Sequence, residues 1–187
     1  YKPPEKSLDI KKVGSDIGKI FNGKKSSKIL NNPWLFVEPG RYLVADSTIL
    51  LTNVHSIKSG PEKYVGIDAG MNTLLRPALY DAYHHITVLG KENQIHDTRV
   101  DVVGSLCENN DKFAIDRSLP AVEVGDLLVI HDAGAHGHAM GFQYNGKLRS
   151  AEVLLRTDRT VQEIRRAETI SDYFATLDYP SLSANTA

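Results

Sequence analysis

The feature that most constrains this chain is a succession of short β-rich runs: YVGID, HITVLG, TRVDVVG, DLLVIHD, AEVLLRT and TVQEIRR. Each is dominated by branched or aliphatic residues and bounded by Gly, Asp, Asn or Pro, which end a strand by turning the backbone. In TRVDVVG, Val100 and Val102 alternate with Arg99 and Asp101. Side chains of a strand point alternately to its two faces, so this run predicts one apolar and one polar face. Many short strands of this kind can bury their apolar faces only by closing on one another. The chain is therefore expected to be mainly β, a sandwich or barrel.

Helical patterns interrupt this plan at a few points. Ser7 is placed to cap a helix in which Val13, Ile17, Ile20 and Phe21 recur at helical spacing, with Gly23 as its stop. After the polar stretch GKKSSK, the segment WLFVEPGRYLVADSTILLTNVHSI predicts a short buried strand, a Pro-Gly break, a turn of helix and a long strand. MNTLLRPALYDAYHH predicts a helical turn or two, and Thr169 with Asp172 forms a capping-box pattern that opens a terminal helix, SDYFATL.

Composition narrows the function classes. The chain has 187 residues, 41% of them hydrophobic, enough for one ordinary core. With 22 basic and 23 acidic residues, net charge does not draw it to nucleic acid or to an anionic membrane surface. Cys107 is the single cysteine, which rules out an intrachain disulfide and a Cys-rich zinc site. A reducing location fits best: the cytoplasm, with a plastid or other organelle as the alternative. No apolar run approaches the roughly 20 residues that span a bilayer. The chain opens on Tyr1 and not on methionine, so it reads as a piece of something longer.

Four constellations carry candidate chemistry. HDAGAHGHAMG puts His131, His136 and His138 beside Asp132, a set that could offer zinc its imidazole ligands. Gly134, Gly137 and Gly141 favour the other reading, a glycine-rich segment whose backbone lines a ligand pocket. Glu38-Pro39-Gly40-Arg41 can present an N–H and a planar guanidinium to an anion, or can be a turn whose arginine pairs with a nearby acid. Arg76 and Tyr80, four apart in RPALY, can reach one pocket if the proline starts a helical turn; a surface Arg and a half-buried Tyr is the alternative. Cys107-Glu108 in GSLCENND sits among polar neighbours that suit a loop. A lone cysteine is ordinarily a small buried apolar residue, which is the alternative; in a loop beside a carboxylate, the thiol could hand over a proton.

Read in order, EPGR, DAGMNTLLRPALYDAYH, GSLCE and DAGAHGHAMGFQYNGKLRSAEVLL resemble the C-terminal part of the diaminopimelate decarboxylases, a family of fold type III pyridoxal-phosphate enzymes. The resemblance runs from about residue 1 to residue 178, and its four ordered motifs make it specific. It implies that residues 1–47 are the end of a pyridoxal-phosphate-binding (β/α)8 barrel and residues 48–187 a C-terminal β-domain, in a head-to-tail homodimer whose active site is shared across the interface. It implies decarboxylation of meso-2,6-diaminopimelate to L-lysine and carbon dioxide, the last step of lysine biosynthesis. Glu38, Pro39, Gly40 and Arg41 would lie against the cofactor, and Arg41, Arg76 and Tyr80 would grip the substrate end that does not react. Cys107 would be the proton donor, and Glu108 would bind the distal amino group. No metal is implied.

Most members of the family carry tyrosine in DAGAYG, where this chain has His136; the ring would still contact cofactor phosphate and substrate. The resemblance further implies that the Schiff-base lysine and the glycine-rich phosphate loop lie upstream of Tyr1, so the isolated chain is expected to be inactive. Ornithine and arginine decarboxylases share the architecture but commonly carry Cys-Asp, whereas two arginines and a glutamate suit a zwitterionic distal end. Two rival readings are a decarboxylase for another basic amino acid and a non-catalytic β-domain that serves binding or dimerisation.

Overall fold

In the computed structural model, residues 1–23 and 33–177 are described. Helix α1 (Ile10–Asn22) ends at Gly23 as the sequence predicts, but its cap is Asp9, whose carboxylate accepts from the Lys12 amide, and not Ser7. A carboxylate three residues before an orphan N–H makes this the better cap. Most of the stretch GKKSSK lies outside the described residues. Trp34 to Val37 do not form the predicted buried strand: they are strongly exposed, with Trp34 at 85% and Phe36 at 84%. Hydrophobicity reports what a segment would bury, and no described strand of this chain lies beside it to pair with. Helix α2 (Gly40–Val44), a 3₁₀ turn (Ala45–Ser47) and the long strand β1 (Leu50–Ser59) follow as expected.

Strands β2 (Lys63–Ile67), β3 (Ile86–Val88), β4 (Thr98–Val103) and β6 (Leu127–Ile130) fall on predicted runs, and β5 (Lys112–Leu119) is an addition. Helix α3 (Arg76–Tyr80) stands between β2 and β3. The six strands form one sheet in the order β3-β6-β1-β2-β4-β5, antiparallel except for the parallel pair β2 and β4. Its edges nearly meet: Arg117 of β5 donates through Nη1 to the His84 carbonyl, two residues before β3, at 2.9 Å. The result is a nearly closed, barrel-like sheet. Inside it Val54, Val65, Ile67, Ile86, Val88, Val100, Val102, Leu128 and Ile130 are each 2% exposed or less. Full burial of such a side chain contributes about 1.5–3 kcal/mol.

One alternation departs from expectation, because Asp101 is buried together with Val100 and Val102. The β4–β5 register shifts there, and Asp116, at φ 48°, turns its N–H onto the Asp101 carboxylate at 2.8 Å. A bulge thus provides the partner that a buried acid needs. Beyond the barrel, β7 (Glu152–Leu155) and β8 (Val161–Arg165) pair as a separate hairpin. Helix α4 (Ile170–Tyr173) opens with the predicted capping box between Thr169 and Asp172 but spans four residues. No helix among the described residues is long and apolar enough to cross a membrane.

Candidate functional site

The DAGAHG motif docks through its backbone just past the helix that follows EPGR. The loop that follows β6 lies against the segment joining α2 to β1: the Gly134 amide donates to Ala45 O, and the Ala133 amide to Thr48 O, both at 2.9 Å. A Cβ on Gly134 would fall 1.9 Å from the Val44 carbonyl oxygen, so only glycine allows this approach. The docking fixes DAGAHG beside the helix that carries Arg41. His136, two residues on, is exposed and adopts φ 58°. Gly40 is open to its surroundings, with nothing within 4 Å of the place a Cβ would take, and its own N–H donates to Glu38 O at 2.8 Å. Glu38 and Pro39 are exposed.

The guanidinium of Arg41 stacks over the Tyr1 ring at 4.7 Å, and the Tyr1 hydroxyl donates to Arg41 O at 3.2 Å. Arg76 starts α3, with Pro77 at the second position, where a missing N–H costs nothing, and Tyr80 follows one turn later. Burial lowers the Arg76 pKa, and the positive charge of Arg41 lowers it further, while Tyr1 and Tyr80 oppose the effect. The four side chains therefore share one electrostatic neighbourhood. Among the described residues, neither Arg41 nor Arg76 forms an ion pair with a carboxylate. Two like charges without an acid partner among the described residues are the kind of arrangement that an anion can neutralise.

Cys107 and Glu108 occupy the β4–β5 loop. The thiol is exposed and Glu108 half-buried, so the cysteine is not a core residue. Buried Asp111 closes the loop by accepting from the Leu106 amide at 2.8 Å and from the Met71 amide at 2.6 Å. Burial raises its pKa; the amides of Leu106 and Met71 pull it back only in part. A Cβ on Gly104 would strike this carboxylate at 2.2 Å. Asn145, at φ 57°, accepts from the Cys107 amide at 2.9 Å, and Lys147 donates to Ser105 Oγ at 2.8 Å. No hydrogen bond or ion pair joins Cys107 or Glu108 to Arg41, Arg76 or Tyr80 among the described residues. The chain thus holds two groups of candidate residues.

The three histidines have separate surroundings. His131 Nε2 lies 3.0 Å from Thr87 Oγ1, and its ring packs against His85 with centroids 5.3 Å apart. His138 begins a 3₁₀ turn. No group of three metal-ligating side chains comes together among the described residues.

Sequence reasoning missed His84, Asp111 and Asn145. For His84 a signal existed: of two adjacent histidines entering a strand, one must face inward. Asp111 and Asn145 act across the fold, and nothing local marks them.

The chain matches the family described as pyridoxal-dependent decarboxylase, C-terminal sheet domain, over residues 41–134. It is 44% identical to diaminopimelate decarboxylase of Methanothermobacter thermautotrophicus over 97% of this chain and 42% of that protein. It is 51% identical to protein TabA of Pseudomonas amygdali pv. tabaci over 92% of this chain and 40% of that protein. A solved structure of diaminopimelate decarboxylase from M. jannaschii superposes with a TM-score of 0.81 at 39% identity, covering 96% of this chain and 40% of the other. The chain thus spans about two fifths of the length of these relatives.

Proposed function

This chain belongs to the C-terminal sheet-domain family of the pyridoxal-dependent ornithine, diaminopimelate and arginine decarboxylases, and on that premise we propose that it is the carboxyl-terminal part of a diaminopimelate decarboxylase, which converts meso-2,6-diaminopimelate to L-lysine and carbon dioxide. The observation that carries the reading is the pair of cations, Arg41 and Arg76, beside Tyr80, with no carboxylate partner for either among the described residues. It suits the carboxylate of a substrate end that does not react, a group that ornithine and arginine lack at their far ends.

The residues also fit pyridoxal 5'-phosphate. Its phosphate needs N–H donors and positive charge, which the Arg41 guanidinium and a ring N–H of His136 would supply near the Gly134 docking point, while Gly40, with nothing within 4 Å of a Cβ position, leaves room for it. Those residues, with Glu38 and Pro39, would hold the cofactor. When bound, it provides an electron sink for the pair left at Cα as the bond to the carboxylate breaks. Arg41, Arg76 and Tyr80 orient the distal end. Glu108 accepts from the distal ammonium, and the Cys107 thiol holds the proton that Cα receives once carbon dioxide has left.

In this reading residues 1–47 complete a barrel whose upstream part carries the cofactor-bearing lysine, and residues 48–187 form the sheet domain. The enzyme works in the cytoplasm as a homodimer in which Cys107 and Glu108 serve the partner's site. The test is decarboxylation by the chain joined to its barrel, with meso-diaminopimelate, ornithine and arginine as substrates and amine product and carbon dioxide as readouts. Release of L-lysine from meso-diaminopimelate is expected. Turnover of ornithine or arginine in its place refutes the substrate, and no turnover of any of the three refutes the enzyme reading.

A further inference from the structure

His84 is 1% exposed, and the chemistry above makes no use of it. Its Nδ1 lies 2.8 Å from the His131 carbonyl oxygen, and its Nε2 lies 3.2 Å from Nη1 of Arg76. A carbonyl can only accept and a guanidinium can only donate. The ring is therefore neutral with its proton on Nδ1, and Nε2 offers a lone pair to Arg76. Burial lowers the His84 pKa, and the positive charges of Arg76 and Arg41 act in the same direction against the opposing His131 carbonyl and Asp132. The backbone of His84 is fixed as well, because Arg117 donates to its carbonyl while stacking on Tyr83 at 4.2 Å.

We propose that His84 is a positioning residue: its neutral imidazole, fastened to the His131 carbonyl, holds the Arg76 guanidinium in place for the substrate's distal carboxylate. The inference rests on the functional reading above. A guanidinium on a flexible stem loses rotamer freedom when it binds, and an acceptor behind it removes that loss in advance. An imidazole suits the task because it adds no negative charge. A carboxylate in its place would pair with Arg76 and compete with the substrate. The bond also ties α3 to the end of β6, from which the DAGAHG loop departs, so both walls of the anion site share one buried ring.

The two bonds can be separated with amides. Asparagine at this position carries an N–H where Nδ1 stands but has nothing to offer Arg76. Glutamine carries an oxygen where Nε2 stands but loses the bond to His131. In the full enzyme, His84→Asn should raise KM for meso-diaminopimelate about tenfold, the loss of one charge-assisted hydrogen bond, with kcat changed less than about twofold. Calorimetric binding of L-lysine, which retains the gripped carboxylate, should weaken in parallel. His84→Gln should keep KM within about threefold of wild type, whatever its melting temperature.

A wild-type KM in His84→Asn, or a KM that follows melting temperature across the two variants, overturns the assignment while leaving the enzyme reading intact. A wild-type enzyme that neither turns over meso-diaminopimelate nor binds L-lysine overturns both.

Discussion

Replacing Gly134 by alanine tests whether the DAGAHG loop depends on backbone contact with the Arg41 helix. Its Cβ would lie 1.9 Å from Val44 O and 2.8 Å from Ser47 Oγ. An ordinary C···O contact is about 3.3 Å or more, so the two segments must part by roughly 1.4 Å. The Val44 carbonyl cannot simply tilt away, since Ser47 Oγ donates to it at 2.7 Å. The bonds from Gly134 to Ala45 and from Ala133 to Thr48, both 2.9 Å, then stretch past bonding distance. Each contributes about 1 kcal/mol. Overpacking adds a cost of about 1 kcal/mol, and the lower entropy of an unfolded alanine returns about 0.4–1 kcal/mol. A net loss of about 2 kcal/mol lowers the melting temperature by about 4–8 °C in a chain of this size. Thermal denaturation followed by circular dichroism measures it, with Gly14→Ala as the control. Gly14 has nothing within 4 Å and sits inside α1, so that change should leave the melting temperature level or raise it. A Gly134→Ala variant melting within about 1 °C of wild type would refute the steric argument.

Other outcomes follow from the same geometry. Glu168, which accepts from Arg149 and Gln143, has its pKa lowered from 4.5 to about 2, first by the Arg149 side chain. A depressed carboxylate adds stability above its unfolded value that is lost as pH falls through the folded one. Melting temperature should therefore drop between about pH 4.5 and 2, and Glu168→Gln should flatten that slope; an unaltered slope removes Glu168 from the account. Asp111→Asn leaves one of the two loop amides facing an amide N–H, so kcat/KM of the full enzyme should fall about tenfold or more through a displaced Cys107 and Glu108, and L-lysine, whose ammonium Glu108 would hold, should bind more weakly as well; unchanged kinetics would take Asp111 out of the account. Glu108→Asp shortens the arm to the distal ammonium, and a loss of roughly tenfold in kcat/KM is expected; no change would take Glu108 out of the substrate contacts. Cys107→Ala and Arg76→Ala, inactive apart, should recover up to about half the wild-type activity per heterodimer on mixing, because one of two shared sites then carries neither lesion. Verified heterodimers without activity would place both residues in one subunit's site.

Strands were legible wherever a run of branched residues ended in turn residues. β5 was not, because Lys112, Asp116 and Arg117 break its pattern and the bulge at Asp116 resets its faces. WLFV misled for the opposite reason: its hydrophobicity is plain, but the partner that would bury it is not supplied by the described part of this chain. Ser7 and Asp9 are both good caps, and the choice turned on which one the helix start reached. At the site, residue types and order pointed to Arg41, Arg76, Tyr80, Cys107, Glu108 and His136. What holds them was hidden, since His84 to His131, Met71 to Asp111 and Cys107 to Asn145 are contacts between segments 38 to 47 residues apart.

The separation of the two residue groups bears on how a site could be assembled. A diaminopimelate end carries a carboxylate and an ammonium on one carbon, so a binding site must bring a guanidinium and a carboxylate within a few ångströms of each other. Arg76 faces His84 and Arg41, whereas Glu108 folds back on its own loop through the Asn110 amide at 3.1 Å. Asp111 ties the Cys107 loop down through its bonds from Leu106 and Met71, and Gly104 and Gly70 sit against that carboxylate. Joining the groups across two copies breaks none of these. Within the proposed homodimer, the rigidity that Asp111 gives the loop explains why an exposed thiol can be aimed at a neighbour's substrate: a mobile loop would lose the entropy of ordering at every encounter, and this one has lost it on folding.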